Sequence, residues 1–423
     1  MRFRSRPSGV SGRVRASPSK SYTHRAILLA SLSGGPARVR RGLLAEDTEA
    51  TLAGVEAFGA EVVREDGALT ITSDGFRPPE KEIDARNSGT TLRLLTGVAA
   101  TLDGSTVLTG DVSLRKRPMG PLLDALQALG ARGRSLHGDG CAPVQISGPL
   151  AGGDVSIAGS VSSQFVSSLL VAGSLARAAT TVRVLPPIRS EPYVDVTVHM
   201  LGRFGVAIHE EGNDYRIEAG QAYRPVDVDV PGDFSSAAFP LVAAAITDGD
   251  VAVEGLDPDV PQGDRRVVDF LRAFGARIEA SGDAVRVRGG SLRARTIDIG
   301  DTPDLFPVLA VLATQADGES RFVNGEHLRV KESDRIATTV AFLRAMGGSV
   351  EATPDGCIVR GTSRLREAFV ESQGDHRILM AAAVAGLVAD GPVDISDPTC
   401  YRVSYPGFLE DMRALGASME VVP

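Results

Sequence analysis

A sixfold internal repeat constrains this chain more than any other feature. Six times an amphipathic helical run ends in a glycine and passes into a strand. The runs are VEAFGAEV at Gly59, LQALGARG at Gly130, LGRFGVAI at Gly205, LRAFGARI at Gly275, LRAMGGSV at Gly347 and MRALGASM at Gly416. The intervals are 71, 75, 70, 72 and 69 residues, close to one sixth of the 423-residue chain, so the repeats fill it. Such a period marks a supersecondary unit that buries its apolar face only against its neighbours. Glycine just past a helix suits the left-handed C-terminal cap, a conformation that costs a residue with a Cβ more.

Each unit carries a second, more apolar helix, starting near Ser21, Ser88, Ser162, Ser235, Thr302 and Asp375, in stretches such as SSQFVSSLLVAGSLA. Rich in Ala and Leu with little polar face, these helices are expected to be central and buried. Ser, Thr or Asp at each start suits an N-cap. Hairpin turns are expected at Asp66-Gly67, Ser281-Gly282 and Asp355-Gly356. A unit therefore reads as two helices and about four strands, which makes the chain α/β. The sixth unit stops at 419–423 without a returning hairpin, whereas an extra segment, 1–15, precedes the first. The simplest closure lets the N-terminal strands complete the last repeat. Three units then form an N-terminal domain over 15–231. The other three form a discontinuous C-terminal domain, 1–14 with 232–423, the crossing lying near Val230-Pro231-Gly232.

With 45 Lys+Arg against 53 Asp+Glu, the net charge of −8 disfavours a nucleic-acid partner. The longest apolar run, 378–389, is twelve residues, short of the ~20 that a bilayer span needs. Three cysteines (Cys141, Cys357, Cys400) form no CxxC pair and leave an odd count, which argues for a reducing compartment. Six scattered histidines without HExxH argue against zinc. Ten Lys or Arg precede Glu46 with no acidic residue, as in organelle transit peptides, but the helical run at 21–33 belongs to the repeat. The expectation is a cytoplasmic monomer without membrane, nucleic-acid or metal partners.

Helix starts carry about half a positive charge and free N–H groups, so they attract anions. If six apolar helices in two three-unit domains point their starts at one cleft, that cleft becomes an anion trap. Lys20, Arg25, Arg93 and Arg377 lie at or near such starts, and basic clusters occupy 114–118 and 327–335. Only four lysines stand against 41 arginines, and three of them (Lys20, Lys116, Lys331) fall in these segments. Where arginine so dominates, a retained lysine points to a compact, deprotonatable charge, although Lys116 reads as a surface charge. Neither GxxxxGK[ST] nor GxGxxG occurs, so helix starts, Arg and Lys must bind the anions.

At these positions the chain resembles the 5-enolpyruvylshikimate-3-phosphate synthase family. The resemblance rests on PSKSYTHRA at 18–26, NSGTTLR at 87–93, LRKRPMGPL at 114–122, GSVSSQF at 159–165, RVKESDR at 329–335 and GDHR at 374–377. It implies two inside-out α/β domains, each of three βαβαββ units, facing each other across an interdomain cleft. It implies an addition–elimination that moves the enolpyruvyl group of phosphoenolpyruvate to the 5-hydroxyl of shikimate 3-phosphate and releases phosphate, with no metal or organic cofactor. Both substrates are small anions, and like charges ~6 Å apart repel by roughly 3 kcal/mol at an effective dielectric near 20. Arginine forks suit the task of separating them.

By the same resemblance, shikimate 3-phosphate would meet Lys20, Ser21, Arg25, Ser162, Ser163, Gln164, Ser190, Tyr193, Asp304 and Lys331. Phosphoenolpyruvate would meet Lys20, Gly89, Arg117, Gln164, Arg335 and Arg377. Asp304 would be the base for the 5-hydroxyl and Glu332 the acid for the methylene carbon, with Lys20 assisting proton movement and phosphate departure. Three positions depart from the family pattern: Val403 where many members carry Lys (with Arg402 beside it), Leu94 where many carry Pro, and His327 where many carry Asn. Gly89 leaves room that implies glyphosate sensitivity. One alternative is the enolpyruvyl transferase acting on UDP-N-acetylglucosamine, which has a Cys five residues before an Arg-Pro; Val112 stands at that distance here. An RNA 3′-phosphate cyclase would need a polyanion surface, which −8 disfavours. The presence of Asp304 and Glu332 within cationic motifs disfavours a non-catalytic anion-binding repeat protein.

Overall fold

The computed structural model describes residues 1–361 and 364–423. Its twelve α-helices, counted among the described residues, come in six pairs. They are α1 (Lys20–Ser31), α2 (Glu46–Ala57), α3 (Gly89–Ala99), α4 (Gly120–Ala128), α5 (Ser163–Ser174), α6 (Pro192–Arg203), α7 (Phe234–Ile246), α8 (Val267–Phe274), α9 (Phe306–Thr314), α10 (Arg335–Ala345), α11 (His376–Gly386) and α12 (Phe408–Ala414). Each even-numbered helix ends at a repeat glycine in the left-handed conformation, with φ from +81° at Gly347 to +108° at Gly59. The residue after each glycine donates its N–H five residues back: Ala60 to Val55, Ala131 to Leu126, Val206 to Leu201, Ala276 to Leu271, Gly348 to Leu343 and Ala417 to Met412, all at 2.8–3.0 Å. This is the six-to-one bond of a Schellman cap, formed at the same point of every repeat.

The odd-numbered helices are the apolar ones. Every residue of α9 and α11 is buried, as is all of α7 except Ile246. Three of their starts differ from expectation. The N-cap of α1 is Ser19 rather than Ser21, and that of α7 is Asp233 rather than Ser235. Pro303–Leu305 forms a 3-10 turn, so α9 begins at Phe306 instead of following Thr302 directly. The hairpin turn at Asp66-Gly67 has both residues at positive φ. Two other turns sit one residue from their expected places, at Gly282-Asp283 and Pro354-Asp355.

Each repeat builds one four-stranded sheet, and the third shows the pattern. Gly153–Ala158 leads through α5 to a parallel neighbour, Thr180–Leu185, and then through α6 to the hairpin Ile208–Glu211 and Asp214–Ile217, whose second strand pairs antiparallel with Thr180–Leu185. That order is βαβαββ. The first repeat borrows its edge strand, Val228–Asp229, from far along the chain to lie parallel to Ala37–Arg40. The N-terminal strands do not both complete the last repeat. Arg2–Arg6 lies between Val393–Ile395 and Ser418–Val422 in the sixth sheet. Ser11–Arg15 runs parallel to Asp250–Glu254 in the fourth, whose repeat begins at α7 with no strand of its own before it.

The chain divides into two compact units, Pro18–Val230 and the pair Met1–Ser17 with Pro231–Pro423. The first crossing lies beyond the 14/15 boundary because Ala16 donates to the Glu254 carbonyl and the Ser17 carbonyl accepts from Asp233, both at 2.8 Å. The second falls at 230/231, against an expected 231/232. In the discontinuous unit α7, α9 and α11 pack on one another, and Phe3 meets Tyr401 edge-on at 5.8 Å. In the continuous unit α3 packs on α5, and α1 on α2 and α6. Among the described residues no helix is long and apolar enough to cross a membrane.

Candidate active site

In the Pro18–Val230 unit, polar groups converge on the start of α3. A Cβ at Gly89 would stand 3.1 Å from Arg93 Nη1, 3.3 Å from Arg117 Nη1 and 3.4 Å from Gln164 Oε1. Arg93 Nη1 donates to Gln164 Oε1, and its guanidinium lies 5.1 Å over the Phe165 ring. Gln164 Nε2 donates to Thr90 Oγ1 at 2.9 Å. Arg117, just past the 3-10 turn Leu114–Lys116, donates from Nη2 to Asn87 Oδ1 at 2.7 Å. Ser88 caps the helix by accepting from the Thr91 N–H at 3.2 Å. Among the described residues, the Gly89 and Thr90 N–H groups meet no acceptor. Two buried guanidinium groups beside open helix-start amides are chemistry suited to an anion.

Two further groups belong to α1. Lys20, its first residue, places Nζ 2.9 Å from Asp47 Oδ2, and half-buried Ser21 follows. Arg25 is buried and donates to Thr197 Oγ1 at 2.8 Å, Ser167 Oγ at 3.2 Å, and the carbonyls of Ser21 and Tyr193 at 2.9 Å each. All four acceptors are neutral, and burial lowers its pKa to about 10. A buried cation without a carboxylate partner among the described residues is what an anion site requires. Ser190, just before α6, has φ +58°, and its buried Oγ has no hydrogen-bond partner among the described residues. Strain and an orphaned hydroxyl on one residue are features that cluster at ligand sites. Ser162 caps α5, accepting from the Gln164 N–H at 3.3 Å, and buried Ser163 opens the helix; Tyr193 is half-buried on α6.

In the discontinuous unit the helix starts carry carboxylates. Asp375 caps α11, accepting from the Arg377 N–H at 3.0 Å, and Asp233 caps α7 through Ser235 N–H at 3.1 Å. The caps differ in charge: neutral Ser88 at α3, but the carboxylates of Asp233 and Asp375 at α7 and α11, on the Ser235 and Arg377 N–H groups. Arg335, the first residue of α10 and 1% exposed, donates Nε to Asp375 at 2.9 Å, Nη1 to Asp304 at 2.7 Å and Nη2 to Glu332 at 2.5 Å. Burial alone would lower its pKa, but Asp375, Glu332 and Asp304 together hold it well above the ordinary value. Arg377 Nη2 donates to the other oxygen of Asp304 at 2.7 Å and to Ser235 Oγ at 3.1 Å. Asp304 is thus gripped on both oxygens. The Asp233 carboxyl is pushed up by burial, with Arg377 opposing and Asp304 adding.

The expected residues therefore fall into local groups. Gly89, Arg117 and Gln164 meet at α3, Lys20 pairs with Asp47, and Asp304, Glu332, Arg335 and Arg377 form one cluster. Lys331 precedes Glu332 directly after the 3-10 turn Glu326–Val330. Val403 is buried, whereas Arg402 is exposed with its guanidinium 5.9 Å over the Tyr401 ring, so the two side chains do not share a place. Asp47, Asn87 and Asp375 are partners that sequence reasoning did not single out as site groups, and Arg93 was read only as a helix-start charge. Asp375 could have been found inside GDHR; nothing local tells that Asp47 meets Lys20. Among the described residues no group of three His, Cys, Asp or Glu could hold a metal ion.

Comparison with known proteins gives the family. The family model described as EPSP synthase (3-phosphoshikimate 1-carboxyvinyltransferase) matches residues 5–412. A 3-phosphoshikimate 1-carboxyvinyltransferase of Methanocorpusculum labreanum is 50% identical over 415 residues, covering 97% of this chain and 98% of that protein. One from Halobacterium salinarum is 46% identical over 424 residues, covering 98% of each. The solved structure of EPSP synthase from Acinetobacter baumannii matches over 100% of both chains with a TM-score of 0.83 at 31% identity. By whole-length sequence and by fold, the chain belongs to the EPSP synthase family.

Proposed function

We propose that the groups described above carry out, in this chain, the reaction of its family: enolpyruvyl transfer from phosphoenolpyruvate to the 5-hydroxyl of shikimate 3-phosphate. The observation that carries the site assignment is the convergence on Gly89 of Arg93, Arg117, Gln164 and two open helix N–H groups. They would take phosphoenolpyruvate together with Lys20, Arg335 and Arg377. Lys20, Ser21, Arg25, Ser162, Ser163, Gln164, Ser190, Tyr193, Asp304 and Lys331 would take shikimate 3-phosphate. The neutral surroundings of Arg25 and the orphaned Ser190 hydroxyl support this.

Asp304 removes the proton of the 5-hydroxyl as its oxygen bonds to C2 of phosphoenolpyruvate, and Glu332 protonates the methylene carbon. Loss of a methyl proton and departure of phosphate, aided by Lys20, then restore the double bond. Arg335 already gives its N–H groups to Asp304, Glu332 and Asp375, so an arriving substrate anion competes with the two proposed proton-transfer groups. That competition couples substrate binding to their release. A coupled assay tests the reading: phosphate should appear with shikimate 3-phosphate as acceptor and not with UDP-N-acetylglucosamine. The reverse preference, or no release with either, overturns it. A cytoplasmic monomer is the matching reading, supported by free Cys141, Cys357 and Cys400. Light scattering should then return a single 44.2 kDa species.

A further inference from the structure

One turn beyond Lys20 on α1, His24 is completely buried. Its Nδ1 lies 2.7 Å from Thr51 Oγ1 on α2, and Thr51 Oγ1 lies 2.6 Å from Thr91 Oγ1 on α3. Thr91 Oγ1 in turn reaches Ser88 Oγ at 2.7 Å and the main-chain carbonyl of Asp47 at 3.2 Å. Both ends of this chain matter. Ser88 caps α3 immediately before Gly89, and the Asp47 side chain holds Lys20.

The chain has a direction. His24 Nε2 is buried without a hydrogen-bond partner among the described residues. A buried N–H left unmet is the rarer kind of orphan, so the ring proton belongs on Nδ1. Nδ1–H then donates to Thr51, Thr51 to Thr91, and Thr91 to Ser88 or the Asp47 carbonyl. Burial, and then Lys20 and Arg25, hold the imidazole pKa well below its ordinary value, so the ring stays neutral and the direction stays fixed.

We propose that His24, Thr51 and Thr91 form a directional hydrogen-bond relay that sets the Lys20–Asp47 pair against the Gly89 end of α3, which makes His24 a positioning residue for the transfer. It rests on the reading of Lys20 and Gly89 as substrate-binding groups. A relay depends on which nitrogen is used, whereas simple core packing depends on volume. Asparagine carries its amide nitrogen where imidazole carries Nδ1; glutamine carries its own nearer to Nε2.

The experiment is steady-state kinetics for both substrates, at a temperature where melting curves show each variant folded, on His24→Asn, His24→Gln, Thr51→Ser and Thr51→Val. His24→Asn and Thr51→Ser should stay near the wild-type kcat/KM for phosphoenolpyruvate. His24→Gln and Thr51→Val should lose tenfold or more, since misplacing a reacting group by 1 Å costs about 10²-fold. Equal losses for Asn and Gln, or lowered melting temperatures with unchanged kcat/KM in all four, overturn the relay. A wild-type protein without transfer activity overturns the underlying site reading, and the relay with it; active wild type with unranked variants refutes the relay alone.

Discussion

Replacing Gly89 with alanine adds one methyl group at the point where three polar heads meet. The backbone accepts it, because Gly89 opens α3 and is not at positive φ. Alanine there should stabilise the fold by about 0.4–1 kcal/mol through the unfolded chain. The new Cβ, however, would sit 3.1, 3.3 and 3.4 Å from Arg93, Arg117 and Gln164. The approaches to Arg93 and Arg117 are tighter than an ordinary van der Waals contact, so those two side chains must give by a few tenths of an ångström, whereas Gln164 at 3.4 Å stays at contact distance. The retreating atoms are those assigned to phosphoenolpyruvate. Weakening one charge-assisted hydrogen bond costs about 1.5–3 kcal/mol. That should raise KM for phosphoenolpyruvate by about 10- to 150-fold, with a smaller effect on KM for shikimate 3-phosphate, whose proposed contacts also include Arg25 and Ser190. Glyphosate should lose inhibition in the same variant and inhibit the unaltered protein. Steady-state kinetics at saturating shikimate 3-phosphate, beside a melting curve, read this directly. An unchanged KM for phosphoenolpyruvate in a fully folded variant would refute the reasoning.

Other perturbations probe the rest of the site. Asp304→Ala should lower turnover by about 10²–10⁴-fold while calorimetry still detects shikimate 3-phosphate binding; wild-type turnover removes Asp304 as the base. Arg117→Ala should chiefly raise KM for phosphoenolpyruvate, and an effect confined to shikimate 3-phosphate contradicts its assignment. Arg335→Met leaves Asp304, Glu332 and Asp375 without their shared cation, a loss of about 3–5 kcal/mol for a broken buried pair, and an unshifted denaturant midpoint would count against it. The depressed pKa of His24 predicts a pH effect. Below pH 6.5 the unfolded chain binds a proton that the folded chain refuses. Stability present above 6.5 is therefore lost on acidification, at up to about 1.4 kcal/mol per pH unit, and a stability–pH series of His24→Asn should lack that slope.

Local signals made part of this molecule legible. The repeat glycines can be read because a left-handed residue after a helix restricts the choice of amino acid to one that tolerates it. The buried helices can be read because an all-round apolar run has no other place to go. The destinations of the two N-terminal strands could not be read: Arg13 pairs with Ala252 and Arg4 with Asp394, and nothing within either strand encodes a partner so distant. The starts of α1 and α7 were displaced by two residues because Ser19 and Ser21, like Asp233 and Ser235, are equally good caps on local grounds. The cations of the candidate site stand out within motifs. Their pairing with carboxylates is not legible there, since Lys20 meets Asp47 and Arg335 meets Asp375 only after helices from different parts of the repeats have packed.

The borrowed strands also order events during synthesis. Every strand of the Pro18–Val230 unit has left the ribosome once Asp229 has emerged, so its three sheets can close at once. Arg2–Arg6, made before that unit, has to wait for Val393–Ile395 and Ser418–Val422, which are made after it. Counted from the emergence of Asp229, the 193 residues to Val422 take roughly 10–40 s at about 5–20 residues per second. Throughout that interval, the opening segment of the chain is an unpaired strand tethered to a neighbour that is already folded.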